Sequence, residues 1–151
     1  MIIGLPIILF PVVFLVMARY LNNQDNWVNR LVIWLSKYRK LSPYIFAQAR
    51  LESANFTSNI YRKNNNAFGM THPTKRPSLG DTSKVYESNG TIPMQAYRND
   101  TQSFRDFILY LKYFNYPTTV SGADEYVKIL KSKGYFTAPE SDYLKGLKSR
   151  L

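Results

Sequence analysis

The chain has 151 residues, enough for one modest core, and carries 20 Lys and Arg against 10 acidic residues, a formal charge of +10. That balance favours polyanionic partners such as nucleic acid, anionic lipid or an acidic cell-wall polymer. With no cysteine and a single histidine, His72, the chain can build neither a disulfide framework nor a thiolate metal site nor a centre of several imidazoles.

The N-terminal segment MIIGLPIILFPVVFLVMA, Met1 to Ala18, contains no charged side chain. A helix crosses a bilayer with about 17–25 apolar residues. The segment therefore predicts one transmembrane helix over residues 1–20, a single-pass anchor touching lipid through residues 2–18. Pro6 and Pro11 are better tolerated in membrane helices than in soluble ones. A cleaved signal peptide fits less well, because no Lys or Arg precedes the apolar run and Val-Met-Ala is a weak cleavage site. Arg19, Arg30, Lys37, Arg39 and Lys40 all follow the span, so the positive-inside rule places the rest of the chain in the cytoplasm.

Residues 21–40 read as a polar connector and a first amphipathic helix, capped by Asp25 or Asn26. Its Trp27, Leu31, Trp34, Leu35 and Tyr38 share one face of a 3.6-residue period and are expected to pack on the core. A second helix starts at Ser42 as cap with Pro43 at its first position, and Ile45, Phe46, Ala49 and Leu51 form its apolar side. The chain turns polar from Asn55 to Asn66, and the Pro- and Gly-containing THPTKRPSLGD, Thr71 to Asp81, reads as a loop. Asn89-Gly90 between two alternating segments is a hairpin signal, with Pro93 confining the second strand to an edge or a bulge. A third helix begins at Asn99 or Asp100 and carries the stripe Phe104, Phe107, Ile108, Leu111 and Phe114. A fourth ends at Gly134, and a short basic helix closes the chain. The fold class expected is mainly α, a helical bundle with a small β-hairpin lobe, its folded domain spanning residues 41–151.

Of the ten carboxylates, Asp25 and Asp100 suit caps, Asp124 and Glu125 suit a first helical turn, and Asp106 has a helical surface to sit on. Glu52 differs. It ends an apolar helix beside Leu51, Ala54 and Phe56, and a carboxyl against apolar groups has its charged form disfavoured. Such a group stays protonated nearer neutral pH and can act as a general acid, although a solvated surface carboxylate fits the spacing as well. Cleaving a glycosidic bond calls for a second carboxylate across the cleft. The hairpin offers Glu87 and the preceding loop Asp81, each of which reads equally as a solvated loop charge.

Four segments carry a resemblance. AQARLESANFTS resembles the AQ-x-x-LES-x-x-x-S segment of the glucosaminidase family, glycoside hydrolase family 73, peptidoglycan hydrolases of lysozyme-like fold. NNNAFGM (Asn64 to Met70), MQAYRNDTQSFRDFILYL (Met94 to Leu111) and KSKGYFTAPESDYLKGL are similar to three further family segments, in order, so that the likeness covers about Leu41 to Leu147. It implies that Glu52 is the catalytic acid, that Asn66, Phe68 and Gly69 shape the cleft floor, and that Tyr97 lines the site near the scissile bond. It points to Glu87 as the second acid, with Asp81 in reserve. The family usually has Gly-Trp-Gly after LES, where this chain has Ala54-Asn55-Phe56.

The activity this implies is hydrolysis of a β-1,4 bond in the peptidoglycan glycan strand, of endo-β-N-acetylglucosaminidase type and without a cofactor or metal. Tyr86 and Tyr97 would position the sugar. His72, Lys75 and Arg76 would meet the strand's carboxylates, or form a solvated loop, which is the simpler account. Two other readings are a lytic transglycosylase working with one glutamate, and an inactive membrane-anchored wall-binding protein. Nucleic acid is not an expected partner, since the positive charges are dispersed. A wall hydrolase held in the cytoplasm cannot reach its substrate. A bacteriophage protein, held in a virion membrane or the host inner membrane among other virion proteins until penetration or lysis, reconciles the two.

Overall fold

A computed structural model describes residues 27–72, 76–80, 88–89 and 92–151. The expected anchor over residues 1–20, the cap at Asp25 or Asn26, and Lys75, Asp81, Tyr86 and Glu87 lie outside the described residues. Among the described residues no helix is long and apolar enough to cross a membrane.

The elements are α1 (Trp27–Trp34), a 3₁₀ turn (Arg39–Leu41), α2 (Ser42–Glu52), α3 (Asn59–Asn64), β1 (Ser88–Asn89), β2 (Ile92–Pro93), α4 (Asp100–Tyr113), α5 (Ala123–Ser132) and α6 (Glu140–Lys148). Among the described residues the architecture is thus mainly helical, with one antiparallel strand pair in the register Ser88 to Pro93 and Asn89 to Ile92. An isolated bridge between Thr71 and Met94 ties the hairpin to the preceding loop.

Helix α4 forms where its sequence says it should. Asn99 caps it, its side-chain oxygen accepting from the Gln102 amide at 2.9 Å. Its Phe104, Phe107 and Leu111 are almost wholly buried, each such side chain contributing about 1.5–3 kcal/mol. Phe107 stacks on Phe68 at 4.1 Å between centroids, so the helix stripe also anchors the loop after α3. Phe46 of α2 packs on Phe104 at 5.3 Å between centroids, while Ile45 and Ala49 of α2, Tyr126, Val127 and Leu130 of α5 and Leu147 of α6 complete the core.

Three expectations are corrected. Ser42 does not cap α2: it is the first helical residue, preceded by the 3₁₀ turn, and Leu41 stands at the cap without a side-chain bond. The chain enters the helix already turning, so a side-chain cap is replaced by backbone bonds of the tighter turn. Of the expected stripe only Tyr38, beyond the end of α1, is buried in the core, whereas Trp27 and Trp34 are 54% and 64% exposed and Leu31 and Leu35 face outward with them. The rotation of this two-turn helix is set from its other side, where buried Asn29 donates to Asp100 at 3.0 Å and Ile33 is sequestered. Asp106, expected on a helical surface, is fully buried and paired with Arg76.

Candidate active site

Glu52 is the last residue of α2, and the helix ends there because the next residues leave the right-handed region. Ala54, Asn55 and Phe56 have φ of 50°, 55° and 63°, three consecutive left-handed residues without a glycine. L-residues normally avoid this region, at a cost of roughly 1–2 kcal/mol each. The turn is held by hydrogen bonds that overdetermine it. The Ser53 hydroxyl donates to the Ala49 carbonyl at 2.6 Å and accepts from the Phe56 amide at 2.8 Å, and the Asn55 amide donates to Arg50 O at 2.7 Å. Phe56, nearly buried, lies edge-on to Tyr61. This is the stretch in which the sequence departs from Gly-Trp-Gly, and the backbone it adopts is one that glycine enters freely.

The Glu52 carboxyl is partly buried in the wall of a cleft of about 600 Å³. The Tyr143 hydroxyl of α6 donates to its Oε1 at 2.6 Å. On the other side stands Gly69, with φ of +59°, where a β-carbon would lie 3.2 Å from Oε2. Burial raises the Glu52 pKa above its ordinary value, and the Tyr143 hydrogen bond opposes that rise by favouring the charged form. Tyr143 itself is held protonated, chiefly by burial and then by the Glu52 charge, so it remains a donor.

Among the described residues the cleft is assembled from five places in the chain. Leu51 and Glu52 come from α2, Phe68, Gly69 and Thr71 from the loop after α3, and Ile92 and Met94 from the hairpin side. Tyr135 to Ala138 and then Asp142 and Tyr143 form the opposite wall. The Tyr135 hydroxyl donates to Phe68 O at 2.5 Å, joining the two walls at their base. Phe136 stacks face to face on Tyr143 at 3.9 Å and keeps that phenol aimed at Glu52. At Gly146, one turn beyond Tyr143, a β-carbon would lie 2.9 Å from Leu51 Cδ1, so any larger residue there would make the Leu51 side chain shift.

Phe68 and Gly69 therefore stand at the cleft beside Glu52, whereas Asn66 is behind it. The Asn66 amide donates to Met70 O at 2.8 Å and Gln95 O at 2.9 Å, and its oxygen accepts from the Met70 amide. It shapes the floor from beneath, as a strut between the loop and the strand. Asn65 does likewise, its amide donating to Tyr97 O at 3.0 Å. Tyr97, expected near the scissile bond, does not border the cleft formed by the described residues: the ring is 1% exposed and its hydroxyl donates to Asp106 at 2.8 Å. The Arg76 guanidinium also grips Asp106, and the Leu79 amide donates to the same carboxylate at 2.8 Å. Arg76 is thus committed to a buried pair and does not reach toward substrate carboxylates. His72 approaches Gln95 Oε1 through Nδ1 at 3.1 Å. The structure does not describe Glu87, Tyr86, Asp81 or Lys75.

Sequence reasoning missed Tyr143, Tyr135, Phe136 and Asp142 as site residues. The available signal was the GYFTAPESDY stretch, already one of the segments carrying the resemblance but given no role in the chemistry. Asp142 adds an exposed second carboxylate to the cleft among the described residues.

Residues 30–150 match the model of the family described as Glucosaminidase, mannosyl-glycoprotein endo-β-N-acetylglucosaminidase. The chain also resembles one from the structure of a type VI secretion system effector–immunity complex from Pseudomonas protegens, at 18% identity and a TM-score of 0.52. That similarity covers 83% of this chain and 95% of the other. No curated protein matches the sequence.

Proposed function

The chain belongs to the glucosaminidase family, and from that premise we propose that it is an endo-β-N-acetylglucosaminidase in which Glu52 protonates the leaving oxygen of a β-1,4 bond. At the coarser level it is a glycoside hydrolase acting on peptidoglycan. The observation that carries the finer reading is the partly buried Glu52 carboxyl in an open cleft, its pKa raised by burial and one oxygen held by Tyr143. A general acid needs its proton near neutral pH, and burial moves Glu52 in that direction. The glycan strand would lie between the 68–71 loop and the 135–138 wall.

The second acid of the proposed mechanism is Glu87, which would support the anomeric centre or activate water. Asp142 is its rival, because it already stands in the same cleft as Glu52. Separate Glu87→Gln and Asp142→Asn variants discriminate them, the second acid being the one whose loss abolishes turnover while substrate binding persists.

The setting is part of the proposal. The uncharged run from Met1 to Ala18 supports a membrane anchor, and the positive charge after it motivates a virion or host-membrane location. The structural relative comes from an effector–immunity complex, which supports a delivered wall-lytic effector instead, with a protein inhibitor as a further partner. Protease accessibility of the domain in intact cells, spheroplasts and particles separates these settings.

The deciding experiment is Glu52→Gln on a cell-wall zymogram with mass spectrometry of the products. Loss of a general acid lowers the rate by about 10²–10⁴, with the fold retained, so clearing within about tenfold of wild type would refute the role of Glu52. An anhydromuramyl product would assign a lytic transglycosylase, and a wild type that clears nothing would leave a wall-binding domain.

A further inference from the structure

Helix α1 shows solvent a face that a core helix would hide. Trp27, Leu31, Trp34 and Leu35 are 54%, 39%, 64% and 70% exposed, together most of the large exposed apolar side chains among the described residues. Trp27, Leu31 and Trp34 line a shallow groove of about 420 Å³ with Arg30, Arg39 and Ser42. Arg30, Lys37, Arg39 and Lys40 are all exposed around it, and no carboxylate occurs between Trp27 and Leu51. The Arg30 guanidinium lies 5.0 Å from the Phe46 ring centroid, at the domain side of the groove. The other side of the helix is occupied, through Asn29 and Ile33, by the folded domain.

Tryptophan, leucine and arginine in this arrangement match one environment. Tryptophan rings favour the headgroup level of a bilayer, and a helix with an apolar face and basic flanks lies in that plane. Each Lys or Arg near an anionic surface adds about 1 kcal/mol. In the sequence, the uncharged run of Met1 to Ala18 stops nine residues before Trp27, so this face follows closely on the segment read as an anchor. We propose that the α1 face formed by Trp27, Leu31, Trp34 and Leu35, with Arg30 and Arg39, docks into the headgroup–acyl boundary of an anionic bilayer. It is a second membrane contact, distinct from the proposed anchor, and it holds the catalytic domain against the surface rather than on a loose tether. It does not depend on which bond the enzyme cuts.

The chain supplies its own probe, since Trp27 and Trp34 are the two tryptophans of the sequence. Full-length protein is mixed with vesicles of equal parts phosphatidylcholine and phosphatidylglycerol, with and without brominated phosphatidylcholine. Expected are a blue shift in tryptophan emission and strong quenching by bromines near the headgroup, in wild type and in Trp27→Phe, which isolates Trp34. Arg39→Gln, at an exposed position, lowers the docked-to-undocked ratio about fivefold through the loss of one charge. Protein that sediments with vesicles but is not quenched would overturn the proposal, as would failure to sediment or equal quenching on phosphatidylcholine alone. Emission already blue-shifted without lipid and unquenched by bromine would assign the face to the N-terminal segment or a second copy, and also overturns it. Hydrolase activity is read separately, so an inactive enzyme leaves this result standing.

Discussion

The left-handed run after Glu52 offers a direct test of how this turn is held. Ala54, Asn55 and Phe56 all have φ between 50° and 63°, and Ala54 is exposed, so its methyl group contributes little packing. Replacing it with glycine removes a conformational penalty of about 1–2 kcal/mol. The glycine also gives the unfolded chain more freedom, costing about 0.5–1 kcal/mol. At the midpoints of these ranges the difference favours the variant by about 0.75 kcal/mol, a rise in melting temperature of roughly 1.5–3 °C for a chain of this size. Phe56→Gly gives the opposite sign although it relieves the same strain. Phe56 is only 8% exposed and packs edge-on against Tyr61, and truncating such a ring costs about 3–5 kcal/mol. Thermal melts followed by far-UV circular dichroism measure both. Ala54→Gly should clear cell wall at the wild-type rate, since the bonds from Ser53 and Asn55 that fix the end of α2 remain. A melting temperature equal to or below wild type would show that the turn carries no such strain.

Two further substitutions follow from the buried polar groups. Tyr143→Phe keeps the stack on Phe136 and removes the hydroxyl that favours the charged form of Glu52, so the Glu52 pKa moves further up and the alkaline limb of kcat/KM moves with it. The stability that Glu52 contributes is full below its unfolded pKa and lost as pH rises through its folded one; in the variant that loss also occurs at higher pH. An unchanged limb would separate Tyr143 from the acid. Asp106→Ala strands the Arg76 guanidinium, itself only 7% exposed, and frees the Tyr97 hydroxyl. Breaking a buried pair from one side costs about 3–5 kcal/mol, and urea unfolding that finds less than about 1 kcal/mol would remove Asp106 from its place at the centre of this cluster.

The parts of the fold that depend on local pattern were legible. Helix α4 shows its period and its cap in the sequence, and its apolar stripe is buried as the spacing predicts. What local pattern could not supply is rotation and partnership. The stripe on α1 is as regular as that on α4, yet Trp27, Leu31, Trp34 and Leu35 face outward while Asn29 and Ile33 on the other side meet the domain, Asn29 through a carboxylate on α4 seventy-one positions away. Asp106 looked like a surface residue because its partners Arg76 and Leu79 belong to a proline-containing loop with no period at all. At the site, Glu52 stood out by its apolar neighbours, whereas Tyr143 contributes through a contact ninety-one residues distant. A tyrosine in an amphipathic helix gives no sign of whether its hydroxyl serves a carboxylate or the solvent.

The two oxygens of Glu52 are not equivalent, and the difference bears on which one delivers the proton. Oε1 accepts from Tyr143, whose hydroxyl stays protonated, so the acidic proton belongs on Oε2. That oxygen faces Gly69 across a space in which a β-carbon would sit at only 3.2 Å, tighter than ordinary contact. A glycosidic oxygen must come within about 2.6–3.2 Å of the acid that protonates it, and an alanine methyl in the same space would compete for that approach. Alanine would also occupy a backbone position with φ of +59°, at about 1–2 kcal/mol. Gly69→Ala should therefore lower kcat more than the modest loss in melting temperature suggests, because it obstructs the proton donor as well as straining the loop. Gly69→Asn separates the two effects, since asparagine enters the left-handed region with less strain but still carries the β-carbon. If the asparagine variant recovered both stability and turnover, the strain alone would explain the loss. Recovered stability with turnover still depressed is the outcome expected from an acid that works through Oε2.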